Sequence, residues 1–352
     1  MEIILFGVFL HFVGGLASGS FYIPYKKVRG WAWESYWITG GLVSWLIVPL
    51  IAAQLTVPNW INILREADSG TLLWTYIFGV LWGIGGLTFG LTMRYLGLSL
   101  GMSLVMGLTS ALGALMPGLY LDVFSDATEG TLTSMLATQG GHWLLWGVAV
   151  SLVGIAICGK AGLMKEKEVP EAVKFASISE FSISKGILVA VISGVLSACF
   201  SYGISAGRPL AAASVEQGAN DLFQNNVTFM VIMWGGLTTN GIWCLWLNWR
   251  NRTFSNYTDR STPLLRNYGL VACAGTLWFL QFFFYGMGES RLQNDASSWV
   301  LHMSFIIIVS NCWGLYLREW QGTSTLNKGV LVTGIAVILG AIAMVGYGNY
   351  LG

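Results

Sequence analysis

Ten apolar runs, each long enough to cross a bilayer, dominate this chain. A hydrocarbon core about 30 Å thick takes roughly 20 helical residues at about 1.5 Å each. Runs of that length fall at residues 3–24, 35–57, 72–95, 98–121, 142–161, 186–207, 225–249, 268–289, 296–317 and 329–351. Lipid offers no hydrogen bonds to an open backbone, so each run should be helical. Charged residues are 10% of the 352, against about 25% in soluble chains, too few to coat a water-facing surface. The 17 Trp, 18 Phe and 13 Tyr exclude disorder. The expected fold class is all-α, a polytopic membrane protein of ten transmembrane helices. Arg94-Tyr95-Leu96-Gly97 must turn the chain between the third and fourth.

The basic residues orient the bundle. With the N-terminus outside, 15 of the 18 Lys and Arg fall in inner connections, and only Arg65, Arg208 and Arg291 in outer ones. Positive charge is retained on the cytoplasmic side, so both termini are expected to face outward. Residues 1–24 lack the positive n-region of a signal peptide.

The longest polar connection carries Lys165-Glu166-Lys167-Glu168 and Pro170. It divides the chain into an N-terminal five-helix repeat (1–161), a cytoplasmic linker (162–185) and a C-terminal five-helix repeat (186–352). An odd number of helices per half inverts one half against the other, as in many secondary transporters. Internal similarity agrees. Gly7, Gly15, Ser18 and Phe21 recur as Gly186, Gly194, Ser197 and Phe200. Gly40-Gly41-Leu42 recurs as Gly235-Gly236-Leu237; Gly79, Leu81-Trp82 and Phe89-Gly90 recur as Gly275, Leu277-Trp278 and Tyr285-Gly286. Glycines four apart, at Gly79/Gly83, Gly86/Gly90, Gly97/Gly101 and Gly203/Gly207, suit close helix packing in lipid.

No acidic residue falls in the middle of a run, which disfavours a cationic substrate. Glu34 lies at an inner edge; Glu289 and Asp295 lie at outer edges. His11 and His302 enter from outside to an equal depth on the order of 10 Å. Each is either a satisfied packing histidine or a substrate or proton ligand in a shared cavity. Asn240, Gln281 and Asn311, with Thr88, Thr238 and Thr239, are either interhelical hydrogen bonders or ligands for a neutral polyol. Trp82 and Trp278 occupy matching mid-span positions and serve either packing or stacking on a sugar ring. Trp31, Trp33, Trp143, Trp299 and Trp320 near span ends read as interfacial anchors, and His142 as an interface residue.

An enzyme is not expected. No HExxH, G-x-S-x-G or phosphate-binding glycine loop is present, and three dispersed histidines make no metal site. No cofactor is expected. The five cysteines fall in separate apolar runs and read as packing thiols. Net charge is +1, which gives nucleic acid no electrostatic pull. No obligate protein partner is evident.

Longer words then become informative. His11, Phe21-Tyr22-Ile23-Pro24-Tyr25-Lys26-Lys27-Val28 and Trp31-Ala32-Trp33-Glu34 resemble the L-rhamnose–proton symporter family of the drug/metabolite transporter superfamily. So do Trp82-Gly83-Ile84-Gly85, Phe89 to Gly97, Leu280 to Tyr285 and Ser298 to Phe305. The resemblance runs from about residue 7 to the end. It implies ten helices in two inverted halves and proton-driven uptake of a 6-deoxyhexose across the bacterial inner membrane. His11, Lys26, Lys27, Glu34, Trp82, Arg94, Asn240, Trp278, Gln281, Asp295, Trp299 and His302 match the family pattern.

The expected mechanism is alternating access at the interface of the halves. Trp82 and Trp278 stack on the sugar, and Gln281, Asn240, His11 and His302 bond its hydroxyls. Asp295 or His11 loads the proton and Glu34 releases it. Lys26, Lys27 and Arg94 form an inner gate, where Glu34 is equally readable as a structural ion pair with Lys26 and Lys27. The alternative is a proton-independent sugar or metabolite facilitator or exporter on the same scaffold.

Overall fold

A computed structural model describes residues 2–96, 98–124, 128, 130–168, 183–317 and 320–351. Among them there is no strand, and ten helices are long and apolar enough to cross a membrane. We number these α1 (Glu2–Ser20), α2 (Trp33–Thr56), α3 (Ser69–Leu96), α4 (Leu98–Phe124), α5 (Gln139–Glu168), α6 (Ile183–Ala206), α7 (Asn226–Asn251), α8 (Leu264–Leu292), α9 (Asp295–Tyr316) and α10 (Thr325–Leu351).

The ten helices fall on the ten apolar runs, and α3, α5 and α8 extend beyond theirs at both ends. α5 continues to Glu168, through the first seven residues of the expected linker; residues 169–182 lie outside the described residues. Hydropathy marks where lipid begins, whereas a helix ends where capping or sequence stops it. Lys165 and Lys167 in the last turn of α5 also suit the negative end of the helix dipole.

α2 is not uniform. Trp33–Leu42 and Val48–Thr56 are α-helical, and Val43–Ile47 between them is a π-turn. Pro49 has no N–H and its ring collides with the carbonyl four residues back; the wider turn relieves this.

The packing has an internal correspondence. α1 packs on α8 and α9, as α6 packs on α3 and α4; α2 packs on α8 as α7 packs on α3. The pairs α5–α10, α2–α7 and α4–α9 map onto themselves. Exchanging helix n for helix n+5 therefore returns these pairs. Gly79 and Gly83 of α3 face Ile232, Gly236 and Thr239 of α7, so those two backbones touch. Gly86 and Gly90 have no heavy atom within 4 Å of an added Cβ, so their spacing serves no contact in this conformation.

Trp299, Trp31 and Trp320 are buried in the protein rather than exposed. Trp299 fits against Gly113, where any side chain would strike its indole, and Nε1 donates to the Thr109 carbonyl at 3.0 Å. Trp31 packs on Tyr257 and Tyr268, and Lys165 lies over Trp320 at 4.9 Å. Trp33 and Trp143 are exposed, as anchors should be. His142 is exposed, and its Nε2 lies 2.8 Å from the Leu136 carbonyl.

Ser324 caps α10: its Oγ accepts from Asn327 N at 3.2 Å. Its N–H and Oγ donate to Glu168 at 2.7 and 2.6 Å. These bonds hold the Glu168 carboxyl below its ordinary 4.5. A depressed carboxylate stabilises the fold above its ordinary pKa, and that contribution is lost as pH falls through the lower folded value. Glu168→Gln is therefore expected to lower the melting temperature at pH 7, by a margin that vanishes as pH falls through the lowered folded value.

Candidate transport site

The sequence-matched tryptophans meet. Trp82 of α3 and Trp278 of α8 lie with ring centroids 5.3 Å apart. Trp45, from the π-turn of α2, approaches Trp278 at 5.7 Å, and Phe282 lies 5.1 Å from Trp278. A crevice too narrow here for a water molecule is lined by Tyr25, Trp37, Gly41, Ser44, Trp45 and Trp278. Trp45 is buried and its Nε1 has no hydrogen-bond partner, so it offers a free donor at this wall. Trp45 was not among the expected site residues; the signal for it is Pro49, four residues on, which opens its turn.

From the crevice an aromatic column continues through the core. Phe282 stacks on Phe200 at 4.2 Å, Phe200 faces Trp299 at 6.4 Å, and Trp299 meets Tyr285 at 6.0 Å. Tyr285 then touches both histidines: 5.4 Å to His11 and 5.2 Å to His302. The two imidazoles are 6.1 Å apart and fully buried, and none of their four ring nitrogens has a partner. Glycines make their seats. A Cβ at Gly288 of α8 would meet His11 at 2.8 Å, and one at Gly14 of α1 would meet His302 at 3.1 Å. Gln281 is buried, and its carbonyl also faces Gly14.

Asn240 has a different task. It accepts from Trp37 Nε1 at 3.0 Å and donates to Gly236 O at 2.9 Å and Gly83 O at 3.5 Å. In this conformation it bonds between helices, tying α2, α3 and α7. Thr88, Thr239 and Asn311 bond carbonyls of their own helices, and Thr238 also meets Tyr76 Oη.

The two ends of the bundle are held differently. At one end Glu34 is buried and accepts from Asn251 Nδ2 at 2.9 Å and Thr253 Oγ1 at 2.8 Å. Ser35 donates to Asn248 and Asn256, and Asn267 bonds Arg29 through its backbone N and O. Neutral donors thus hold Glu34 here; Lys26 and Lys27 are exposed. This amide and hydroxyl network was missed because isolated Asn and Ser carry no sequence signal. Arg94 is in the last turn of α3, and its side chain lies outside the described residues. At the other end Asp295 forms an ion pair with Arg208 at 2.6 Å, and Asn225 Nδ2 donates to Glu289 at 2.7 Å.

A sequence profile of the family described as L-rhamnose-proton symport protein (RhaT) matches residues 1–350. The chain belongs to that family. It is 38% identical over 350 residues to the L-rhamnose-proton symporter of Cronobacter sakazakii (strain ATCC BAA-894), covering 98% of each chain. The Salmonella typhi and Yersinia pestis (strain Pestoides F) proteins of the same name are 36% and 37% identical over the same 98%. Membership at this length places every feature above, crevice, histidine pair and both end networks, inside the part shared with those relatives.

Proposed function

We propose that this chain is a transporter, not an enzyme, that carries L-rhamnose or a close 6-deoxyhexose into the cell together with protons across the bacterial inner membrane. Full-length membership in the family carries the reading. The site is compatible with it. Indole faces suit the C–H face of a sugar ring, and buried imidazoles with free nitrogens suit hydroxyls or a proton.

Both termini face outward, and residues 1–161 and 186–352 act as inverted halves joined by a linker. The asymmetry of basic residues supports the orientation, and the helix pairs that correspond under exchange of n for n+5 support the repeat. Sugar enters between the halves at the Trp82–Trp278 pair, with Gln281 buried on the same helix as Trp278, and the aromatic column links that pair to His11 and His302. Alternating access then consists of opening the Asp295 end while the Glu34 end is latched, and the reverse. Asn240 shapes the site by holding three helices together.

The test is radiolabelled L-rhamnose uptake into proteoliposomes with an imposed proton gradient. One charge per sugar moved down 100 mV supplies about 2.3 kcal/mol, enough for roughly fortyfold accumulation at about 1.4 kcal/mol per decade. Uptake indifferent to the gradient establishes a facilitator or exporter instead. Binding without uptake establishes a sensor.

A further inference from the structure

The end of the bundle that carries Asp295 holds a second carboxylate with different surroundings. Asp295 is bound to Arg208 at 2.6 Å. Arginine does not lose its proton in proteins, so Asp295 already has a fixed cationic partner. Glu289 is half-buried in the last turns of α8, and its hydrogen-bond partner is the neutral amide of Asn225. Asp295, at the start of α9, and Arg208, which opens the helix Arg208–Glu216, also act on it electrostatically. Arg208, however, is already engaged by Asp295.

Glu289 is also in the right place. Tyr285 is one helical turn away on α8, where residues four apart are neighbours. Its ring contacts both His11 and His302. The adjacent Gly288 presses on His11, at 2.8 Å from a built Cβ to Cδ2 and Nε2. Titratable groups therefore follow one another from the bundle end to the buried imidazoles, whose nitrogens are free.

Resting on the proton-coupled reading and the orientation proposed above, we propose that Glu289 takes up the transported proton at the outer end, with the His11–His302 pair as the next acceptor inward. A proton from outside neutralises the carboxylate. The carboxylic acid then gives that proton to a free imidazole nitrogen and regains its charge, and the imidazolium releases it once the site faces inward. Asn225 is a positioning residue that orients the carboxylate.

Two transport modes in proteoliposomes separate this role from a structural one. Proton-driven accumulation needs net proton movement, whereas L-rhamnose exchange at equal concentrations does not. In Glu289→Gln the ratio of driven uptake to exchange is expected to fall at least tenfold and to lose its dependence on external pH. Glu289→Asp is expected to restore both. Equal loss of both modes in Glu289→Gln, or a Glu289→Gln protein that accumulates sugar like the wild type, overturns the assignment. A Glu289→Asp protein that behaves like Glu289→Gln overturns it as well. A wild type that accumulates no sugar under the gradient overturns instead the transport reading on which it rests.

Discussion

Gly235→Leu is expected to leave almost no folded transporter. A Cβ at this position on α7 would strike the Tyr76 carbonyl and lie 2.6 Å from Val80 N and 2.8 Å from the Gly79 carbonyl carbon. All three are backbone atoms of α3, so no rotamer change relieves the clash. Overpacking costs about 1–3 kcal/mol where side chains can yield; here the helices themselves must part. Parting undoes the Gly79–Ile232 and Gly83–Gly236 contacts together. In lipid no hydrophobic drive re-forms them, because tails are as apolar as the side chains. The Asn240 bond to Gly83 O stretches with them. Size-exclusion of detergent extracts should show loss of the monodisperse peak, or a melting temperature lower by about 10 °C or more. Gly86→Leu is the control. It sits in a glycine pair of the same spacing but meets nothing within 4 Å, and it is expected to extract normally. A stable Gly235→Leu protein, or equal damage from Gly86→Leu, would show that spacing rather than contact governs these glycines.

That contrast marks how far the sequence could be read. The ten helices were legible because a bilayer demands long uninterrupted apolar stretches, and charges interrupt them. Their ends were not: α5 runs on to Glu168, where no lipid need be matched. Pairing of Trp82 with Trp278 was foreshadowed by their matching positions in the two halves, and equal depth foreshadowed His11 beside His302. What made those encounters possible was hidden. Gly14 and Gly288 admit the imidazoles, yet among 45 glycines nothing local distinguishes them. Trp299 misled for the same reason. Four residues into its run it reads as an interfacial anchor, but Gly113 on another helix opens a slot that buries it. Asp295 and Glu289 read alike as edge carboxylates, and only the fold assigns Arg208 to one of them.

His302→Leu is expected to produce a more heat-stable protein that no longer concentrates L-rhamnose. The imidazole is 1% exposed and both nitrogens lack partners. A buried polar group left without a hydrogen bond costs about 1–3 kcal/mol, and an apolar group of similar shape removes that cost. Its surroundings accept leucine: Tyr285, His11 and the Gly14 seat are ring faces and bare backbone. The melting temperature should rise by a few degrees, roughly what 1 kcal/mol shifts a chain of moderate size. Proton-driven uptake should fall at least tenfold, about 1.4 kcal/mol, because no donor or acceptor remains for hydroxyl or proton. The opposing signs are the diagnostic. A packing histidine that is satisfied loses stability when replaced, and a spectator loses neither stability nor transport. A drop in melting temperature would therefore return His302 to the role of a structural hydrogen bonder. Uptake within about twofold of wild type would move the site away from the histidines, toward the crevice at Trp45 and Trp278. A rise in stability with loss of transport is the pattern of a residue kept against the stability of the fold, for what it binds during the cycle.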